Sequence, residues 1–349
     1  MRFIVYRQWE QLPECANSLF RKGEQESLFF SRIWLENLTA HALTEQQSLL
    51  LACVVEDERF LSILPLIEPL EGDLSSLSSN FTSLYSLLIS HSDQQDAILD
   101  CLAVGLSQMS AHLIHFEPID TNDDNIIRLR QRMEYHGFQS HSYFRFYNWT
   151  HPLKGQSFDE YMADRPANLR NTITRKQHKL EREHGYDIRL FNNNSSDHSL
   201  LNKVLADYHA VYKTSWKSNE FFADFTPTLV KSCSQKGWLR LAILYVNEQP
   251  IAAQIWFVAQ HKANIYRLVY DEDWKRYSPG SILTEYLMRY AIDTDKVTEI
   301  DFLTGNERYK QDWMTVRKER LGIRLAKIPE AKNNFTRALQ LLKKRLSLN

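Results

Sequence analysis

The chain has 349 residues, beyond the size at which one hydrophobic core usually stops growing, so two domains are expected. Its 43% hydrophobic and 24% charged residues exclude a disordered chain, and no apolar run approaches the roughly 20 residues of a membrane-spanning helix. Net charge is −1, but 19 acidic and 6 basic residues fall between Met1 and Ile127, which leaves +12 on the remainder. An acidic half followed by a basic half marks a domain boundary and points an anionic ligand toward the second half.

The opening run Met1 to Arg7 is strand-like and lacks the apolar core of a signal peptide. Cys15, Cys53, Cys101 and Cys233 are scattered, with no CxxC pair and no metal-ligand spacing, which fits a reduced cytoplasm. Leu49 to Val55 reads as a buried strand, Glu56-Asp57-Glu58-Arg59 as a turn, and Phe60 to Ile67 as the second arm of a hairpin. Ser83 to Ile89 reads as a strand, and Asp93 to Met109 as a helix with Ser92 at its N-cap. Ala111 to Phe116 is a strand, where His112 and His115 point to opposite faces and make no metal pair. Asn125 to Tyr135 is a helix closed by Gly137, and Ser140 to Tyr147 alternates as a strand.

Phe158 to His184 is helical, basic, broken at Pro166 and stopped at Gly185. Asp187 to Phe191 is a short strand, Asn192 to Ser196 a loop, and His198 to Trp216 a helix. Three strands follow, Trp238 to Val246, Pro250 to Val258 and Ala263 to Tyr270, with turns at Asn247-Glu248-Gln249 and Gln260-His261-Lys262. The loop from Asp271 to Ser278 leads into a helix from Ser281 to Ile292. A strand from Thr298 to Leu303, the turn Thr304-Gly305 and a short amphipathic segment to Trp313 complete the run. Both halves share the order hairpin, strand, helix, strand, helix, strand. That order predicts a mixed α/β fold of two similar domains, residues 1–150 and 151–330, with a basic helical tail over 331–349.

Motifs exclude several enzyme classes: with 10 glycines there is no GxGxxG, no GxxxxGKS and no GxSxG. Two stretches could carry chemistry. Ser278-Pro279-Gly280-Ser281 opens a helix whose N–H groups and positive end suit an anion, or is an ordinary capped helix start. Asp301 stands in an apolar strand, where a carboxylate needs a partner (Arg308, Lys310 and Arg317 are near in sequence) or a function. Arg170, Arg175, Lys176 and Lys179 form a basic strip, either a solvated face or an anion contact. Trp216, followed by Lys217, is a core aromatic or a substrate wall.

A set of segments ties these stretches together: Arg165-Pro166-Ala167-Asn168-Leu169-Arg170-Asn171-Thr172, Ser215-Trp216-Lys217, Gly237-Trp238-Leu239-Arg240-Leu241, Pro250 to Trp256, Ser278-Pro279-Gly280, Ile300-Asp301-Phe302-Leu303-Thr304-Gly305, Tyr309-Lys310 and Asp312-Trp313. Together they resemble the GNAT-superfamily acyltransferases of the CelD type, relatives of the Fem-type peptidoglycan-bridge ligases, from about Phe158 to Arg320. The resemblance implies two tandem GNAT-like domains, the first degenerate, and direct attack of an amine on an acyl thioester. It implies acyl-CoA as co-substrate, no metal, and a backbone donor from the strand ending at Tyr270. It further implies a pyrophosphate cradle at Ser278, Pro279, Gly280 and Ser281, Asp301 as base or amine anchor, and Tyr309 or Tyr270 as proton donor. Trp216, Lys217, Arg175, Lys176 and Lys310 would line the substrate side, with Glu285 or Glu220 as substitute acids. The sequence departs from the family in reducing the glycine-rich loop of acetyl-CoA enzymes to one Ser-Pro-Gly.

Three functions follow: acyl transfer to an amine of a sugar, amino acid or small metabolite, a Fem-like ligase with an aminoacyl-tRNA donor, and a non-catalytic binding module. An acyl carrier is a further donor. No DNA partner is expected, and the tail ending Lys343-Lys344-Arg345 is expected to fray.

Overall fold

The computed structural model describes residues 1–70, 72–90, 93–192, 198–217 and 222–329. The chain forms two compact units, Met1–Arg145 joined by the segment from Glu319, and Phe146–Lys318. The expected cap at Ser92, most of the loop to Ser196, Glu220 and the tail 331–349 lie outside the described residues.

The first unit runs β1 (Arg2–Tyr6), α1 (Asn17–Glu26), α2 (Arg32–His41), β2 (Gln47–Glu56), β3 (Arg59–Pro69), β4 (Leu74–Ser76), β5 (Leu88–Ile89), α3 (Gln95–Gln108), β6 (Leu113–Asp120), α4 (Asp124–Tyr135) and the start of β7 (Phe138–Pro152). Its strands pair in the order β1-β2-β3-β4-β6, antiparallel except for the parallel pair β4 and β6. Leu50, Leu64 and Leu66 from the sheet pack with Ile98, Leu102 and Leu106 of α3 and Ile126 and Leu129 of α4 into one core.

The second unit runs α5 (Phe158–Ala163), α6 (Ala167–His184), β8 (Asp187–Phe191), α7 (His198–Thr214), α8 (Phe225–Gln235), β9 (Leu239–Val246), β10 (Gln249–Ala259), β11 (Lys262–Tyr270), α9 (Pro279–Arg289), β12 (Glu299–Thr304), α10 (Arg308–Trp313) and the start of β13 (Val316–Lys327). Its order is β8-β9-β10-β11-β12-β7, again with one parallel pair, β11 and β12. A helix lies between the parallel strands in both units, α3 (after the short β5) and α9, and a helix follows each pair, α4 and α10. The duplication expected from element order is therefore present as topology. In the sixth position, β13 pairs β6 and β7 pairs β12.

Local chemistry explains the punctuation. The Asp57-Glu58, Asn247-Glu248 and Gln260-His261 turns all have positive φ at both residues, the twist that suits two-residue hairpins. Ser157 caps α5 in a reciprocal box with Glu160, and Gly185 ends α6 at φ 67°.

Three kinds of feature differ from the sequence expectation. Ser83 to Ile89 is a strand only at Leu88–Ile89, because Tyr85 turns inward and donates its hydroxyl to Pro65 O (2.8 Å). Residues beyond Trp313, for which the sequence offered no strand, form β13 (Val316–Lys327), whose Ile323 and Leu325 enter the core. Arg320 is tolerated inside because it pairs with Asp120 at 2.5 Å. Helices α1, α2 and α8 had no clear signal; α1, for example, carries Gly23 in its interior.

His151 on β7 gives the second unit an acid-sensitive point. Its ring is buried edge-on to Tyr161, with Nδ1 2.9 Å from Thr315 Oγ1. Burial, with Arg165 adding to it, lowers its pKa from 6.5 to about 4. As pH falls the unfolded chain takes up this proton first, so the contribution is complete above about 6.5 and is lost toward about 4, up to roughly 3 kcal/mol. Urea unfolding across that range should show the loss in the wild type and a flatter profile in His151→Gln.

Candidate active site

The second unit holds an opening between its two parallel strands. β11 and β12 are in register only at Lys262↔Glu299, Ala263↔Ile300 and Asn264↔Asp301, whereas β10 follows β11 as far as Tyr270. Both flanking ladders contain a bulge, at Ile255/Trp256 and between Asp301 and Thr304, and bulges bend strands apart. Asp271 N–H reaches Ile251 O (2.8 Å). Bonded pairs alternate along an antiparallel ladder, so Arg267 and Val269 face β10. Leu268 and Tyr270 therefore turn their N–H and C=O groups toward the edge that β12 has left.

The first turn of α9 borders this opening. A Cβ on Gly280 would lie 3.2 Å from Tyr270 Cδ1 and 3.3 Å from Leu268 Cδ2, so only the smallest residues keep the approach unchanged. Buried Gln254 fixes the turn, donating from Nε2 to Gly280 O (2.9 Å) and Thr284 Oγ1 (2.8 Å) while its Oε1 accepts from Trp256 Nε1 (2.8 Å). The N–H groups are sparser than a full anion cradle needs. Pro279 has none, and those of Ser281 and Ile282 both point to Ser278 O (3.0 and 3.2 Å). Among the described residues only the Gly280 N–H of this first turn has no acceptor.

The expected site residues fall into separate groups. Trp216, 48% exposed, has its ring 4.5 Å from that of Tyr270, and Lys217 Nζ lies 5.9 Å from the Trp216 ring. With Ser278 to Ser281 these form an outer group at the mouth of the opening. Lys176 donates to Arg276 O, just before that turn. Arg175 is exposed and has no side-chain partner among the described residues.

The inner group lies where the strands part. Asp301 Oδ1 accepts from Asn148 Nδ2 (2.6 Å) and from Leu303 N (2.7 Å), and Leu303 has φ +56°. The carboxylate thus holds the bulge that turns β12 away from β11. Lys310 is buried and donates to Phe302 O (3.2 Å) and Thr304 O (2.5 Å), with Glu307 at 3.1 Å. Burial lowers its pKa, with Glu307 and Asp301 opposing. Its ammonium braces the β12–α10 loop. Tyr309 is 43% exposed and sits edge-on to Phe302; partial burial, then the Glu307 carboxylate, raises its phenol pKa. Tyr270 lies six residues beyond Asn264, about 20 Å of strand, so the outer and inner groups are well separated along the opening. Glu285 is engaged with Gln177 on α6, and burial raises its pKa.

Asn148, Asn264 and Gln254 carry much of this geometry and were missed. The available signal was an amide side chain within an otherwise apolar strand, as in Ala263-Asn264-Ile265 and Ala253-Gln254-Ile255.

In the first unit the corresponding gap is filled by its own chain. β4 and β6 pair only at Leu74↔Ile114 and Ser75↔His115. Beyond that point Tyr85 N donates to Pro118 O (2.6 Å), and its ring stacks on Phe116. This is the physical form of the degeneracy.

A parted parallel pair with a helix between its strands, occurring in each unit, defines a GNAT-type fold. The family profile described as an acetyltransferase (GNAT) domain matches residues 167–311. Among solved structures the chain is similar to FemX, at 10% identity and TM-score 0.63, over 96% of this chain and 99% of that one. It is also similar to a conserved protein of unknown function from Bacteroides thetaiotaomicron VPI-5482, at 10% identity and TM-score 0.58, over 93% and 100%. L-PGS from Bacillus licheniformis matches at 13% identity and TM-score 0.53, over 94% and 96%. No curated protein matches the sequence. Residues 167–311 therefore match a GNAT acetyltransferase domain, and the chain shares its fold with FemX. Among the described residues no cluster of His, Cys, Asp or Glu could hold a metal, and no helix is long and apolar enough to cross a membrane.

Proposed function

We propose that the chain transfers an acyl group from a pantetheine thioester, with acyl-CoA as the reference donor, to the amine of a sugar, amino acid or small metabolite. The observation that carries this reading is the divergence of β12 from β11 after Asn264↔Asp301, which leaves the Leu268 and Tyr270 backbone groups facing the opening. An extended arm containing amides can pair with such an edge as an added strand. The amine nitrogen attacks the thioester carbonyl carbon, an N–C bond forms, and the C–S bond breaks. A preorganised N–H from the free edge of β11 would stabilise the carbonyl oxygen as it becomes negative. Asp301 anchors the amine and takes its proton; Tyr309, whose raised pKa keeps it protonated, gives one to the departing sulfur. Tyr270 and Trp216 serve as an aromatic wall at the mouth. Residues 1–150 act chiefly as scaffold.

A second reading, an aminoacyl-tRNA donor, is favoured by the single free N–H at the start of α9, a weak anchor for a pyrophosphate. Calorimetric titration with CoA, 4′-phosphopantetheine and deacylated tRNA separates the two. CoA or phosphopantetheine should bind, and Gly280→Leu, which drives a side chain into Leu268 and Tyr270, should weaken that binding at least tenfold. Gly280→Ala should bind nearly as well as wild type. Tight binding of tRNA with none of the pantetheine compounds would favour the ligase reading.

A further inference from the structure

Arg165 lies between α5 and α6, after the Asp164 that ends one helix and before the Pro166 that opens the other. It is 8% exposed, and its charge has no carboxylate partner among the described residues. Two other buried cations are paired, Lys310 with Glu307 at 3.1 Å and Arg320 with Asp120 at 2.5 Å. Arg165 has only two long bonds to carbonyls, from Nε to Tyr161 O (3.4 Å) and from a terminal nitrogen to Trp313 O (3.3 Å), and the Tyr161 ring 4.9 Å away. A buried cation without a counter-charge lowers stability. A residue kept at that cost marks a place where something other than stability is served.

The contacts of Arg165 identify what it serves. Trp313 is the last residue of α10, and the final carbonyls of a helix have no partner within it. Trp313 and Met314 are each 2% exposed, so bulk water is largely kept from this end. The Trp313 carbonyl instead accepts from the Tyr161 hydroxyl (2.6 Å) and from Arg165, and a cation suits a helix C-terminus. α10 is a short helix, Arg308–Trp313, so a shift at one end carries the whole of it. Its inner side is tied to β12 through Lys310, bonded to Phe302 O and Thr304 O. Tyr309 stands one turn before Trp313, its ring centre 5.7 Å from that of Phe302. The phenol is therefore placed by two anchors, Lys310 on β12 and the cap made by Tyr161 and Arg165.

We infer that Arg165 is a positioning residue: with the Tyr161 hydroxyl it caps the end of α10 and so sets where Tyr309 presents its phenol. This rests on the reading in which Tyr309 protonates the departing sulfur. Arg165 acts only through α10. Its effect falls on turnover rather than on donor binding, because the groups assigned to the donor arm lie on β11 and the first turn of α9. A slightly displaced proton donor loses much of its rate advantage, while Lys310 keeps the helix against β12.

The test uses the full chain with 3-fluorotyrosine in place of tyrosine, the Tyr309 signal being the one lost in Tyr309→Phe. Arg165→Met removes the charge and keeps much of the volume, so its melting temperature should equal or exceed that of the wild type. The Tyr309 fluorine signal should move. For amine acylation from acetyl-CoA, kcat should fall about tenfold or more with KM for acetyl-CoA unchanged. Arg165→Lys, which keeps the charge and a donor, should recover much of the lost turnover. An Arg165→Met variant with wild-type kcat and an unmoved Tyr309 signal would overturn the assignment. So would one whose stability and turnover fall together, or one that does not fold, since Arg165 would then be a brace for the whole unit. The fluorine signal needs no substrate, so it decides the placement of α10 even if acetyl-CoA is no donor. Wild-type turnover in Tyr309→Phe would remove the proton-donor reading on which the inference rests. A slow Tyr309→Phe beside a fast Arg165→Met would remove this inference alone.

Discussion

Asp301→Asn is expected to slow amine acylation by about a hundredfold or more and leave the melting temperature nearly unchanged. The geometry separates the two effects. Asp301 Oδ1 accepts from Asn148 Nδ2 and Leu303 N, and the carbonyl oxygen of an asparagine can occupy the same position and accept both. The bulge at Leu303 therefore survives, and with it the divergence of β12 from β11. What disappears is the negative charge and, in the proposed mechanism, the site that takes the amine proton. A purely structural aspartate predicts otherwise: if its charge mainly offset the buried Lys310, asparagine would cost about 3–5 kcal/mol and activity would fall with stability. Lys310 already has Glu307 and two carbonyl oxygens, so this second outcome is not expected. Thiol release from acetyl-CoA with a primary amine, and thermal melting, should be measured on one preparation. A variant with wild-type turnover would remove Asp301 from the mechanism.

The parts of this molecule that were legible in the sequence are those set by local chemistry. The two hairpin turns around β10, the break at Pro166 and the stop at Gly185 all depend on residues within a few positions of the feature. Asp301 stood out for the same reason, as a lone acid between Ile300 and Phe302. Its partner Asn148 could not be read, being 153 positions away on a strand brought alongside only by the fold. The sequence offers Lys310 as a partner of Asp301 or a substrate-side residue, and only the closeness of the β12–α10 loop reveals that its ammonium is buried on Phe302 O and Thr304 O. β13 is not legible because Arg317, Lys318, Glu319 and Arg320 are four charged residues in a row, whereas Arg320 is buried against Asp120. In each case the unread feature depends on a side chain whose polarity is satisfied across a long sequence separation.

The segment Gly237-Trp238-Leu239-Arg240-Leu241 carried part of the family resemblance, and its arginine serves the fold rather than the opening. Arg240 donates from Nε to Asp295 Oδ2 (2.9 Å) and from its terminal nitrogens to Asp295 Oδ1 (2.7 Å), Gly237 O (2.8 Å) and Leu239 O (2.8 Å). The two side chains are only 13% and 8% exposed. Asp295 follows the π-helical turn Tyr290–Thr294 that ends α9, so the pair ties that end to the start of β9. Planar guanidinium and carboxylate make two parallel bonds here, and the spare donors are used on backbone carbonyls, the condition under which a buried pair is tolerated. Asp295→Ala should leave a buried guanidinium without its counter-charge and lower stability by about 3–5 kcal/mol. Arg240→Met with Asp295→Leu removes both charges and fills much of their volume, and should cost far less than the single variants Arg240→Met and Asp295→Leu added together. Urea unfolding followed by tryptophan fluorescence measures all four members of the cycle. A loss below about 1 kcal/mol for Asp295→Ala would mean that water replaces the carboxylate and that the end of α9 is held by its apolar contacts alone.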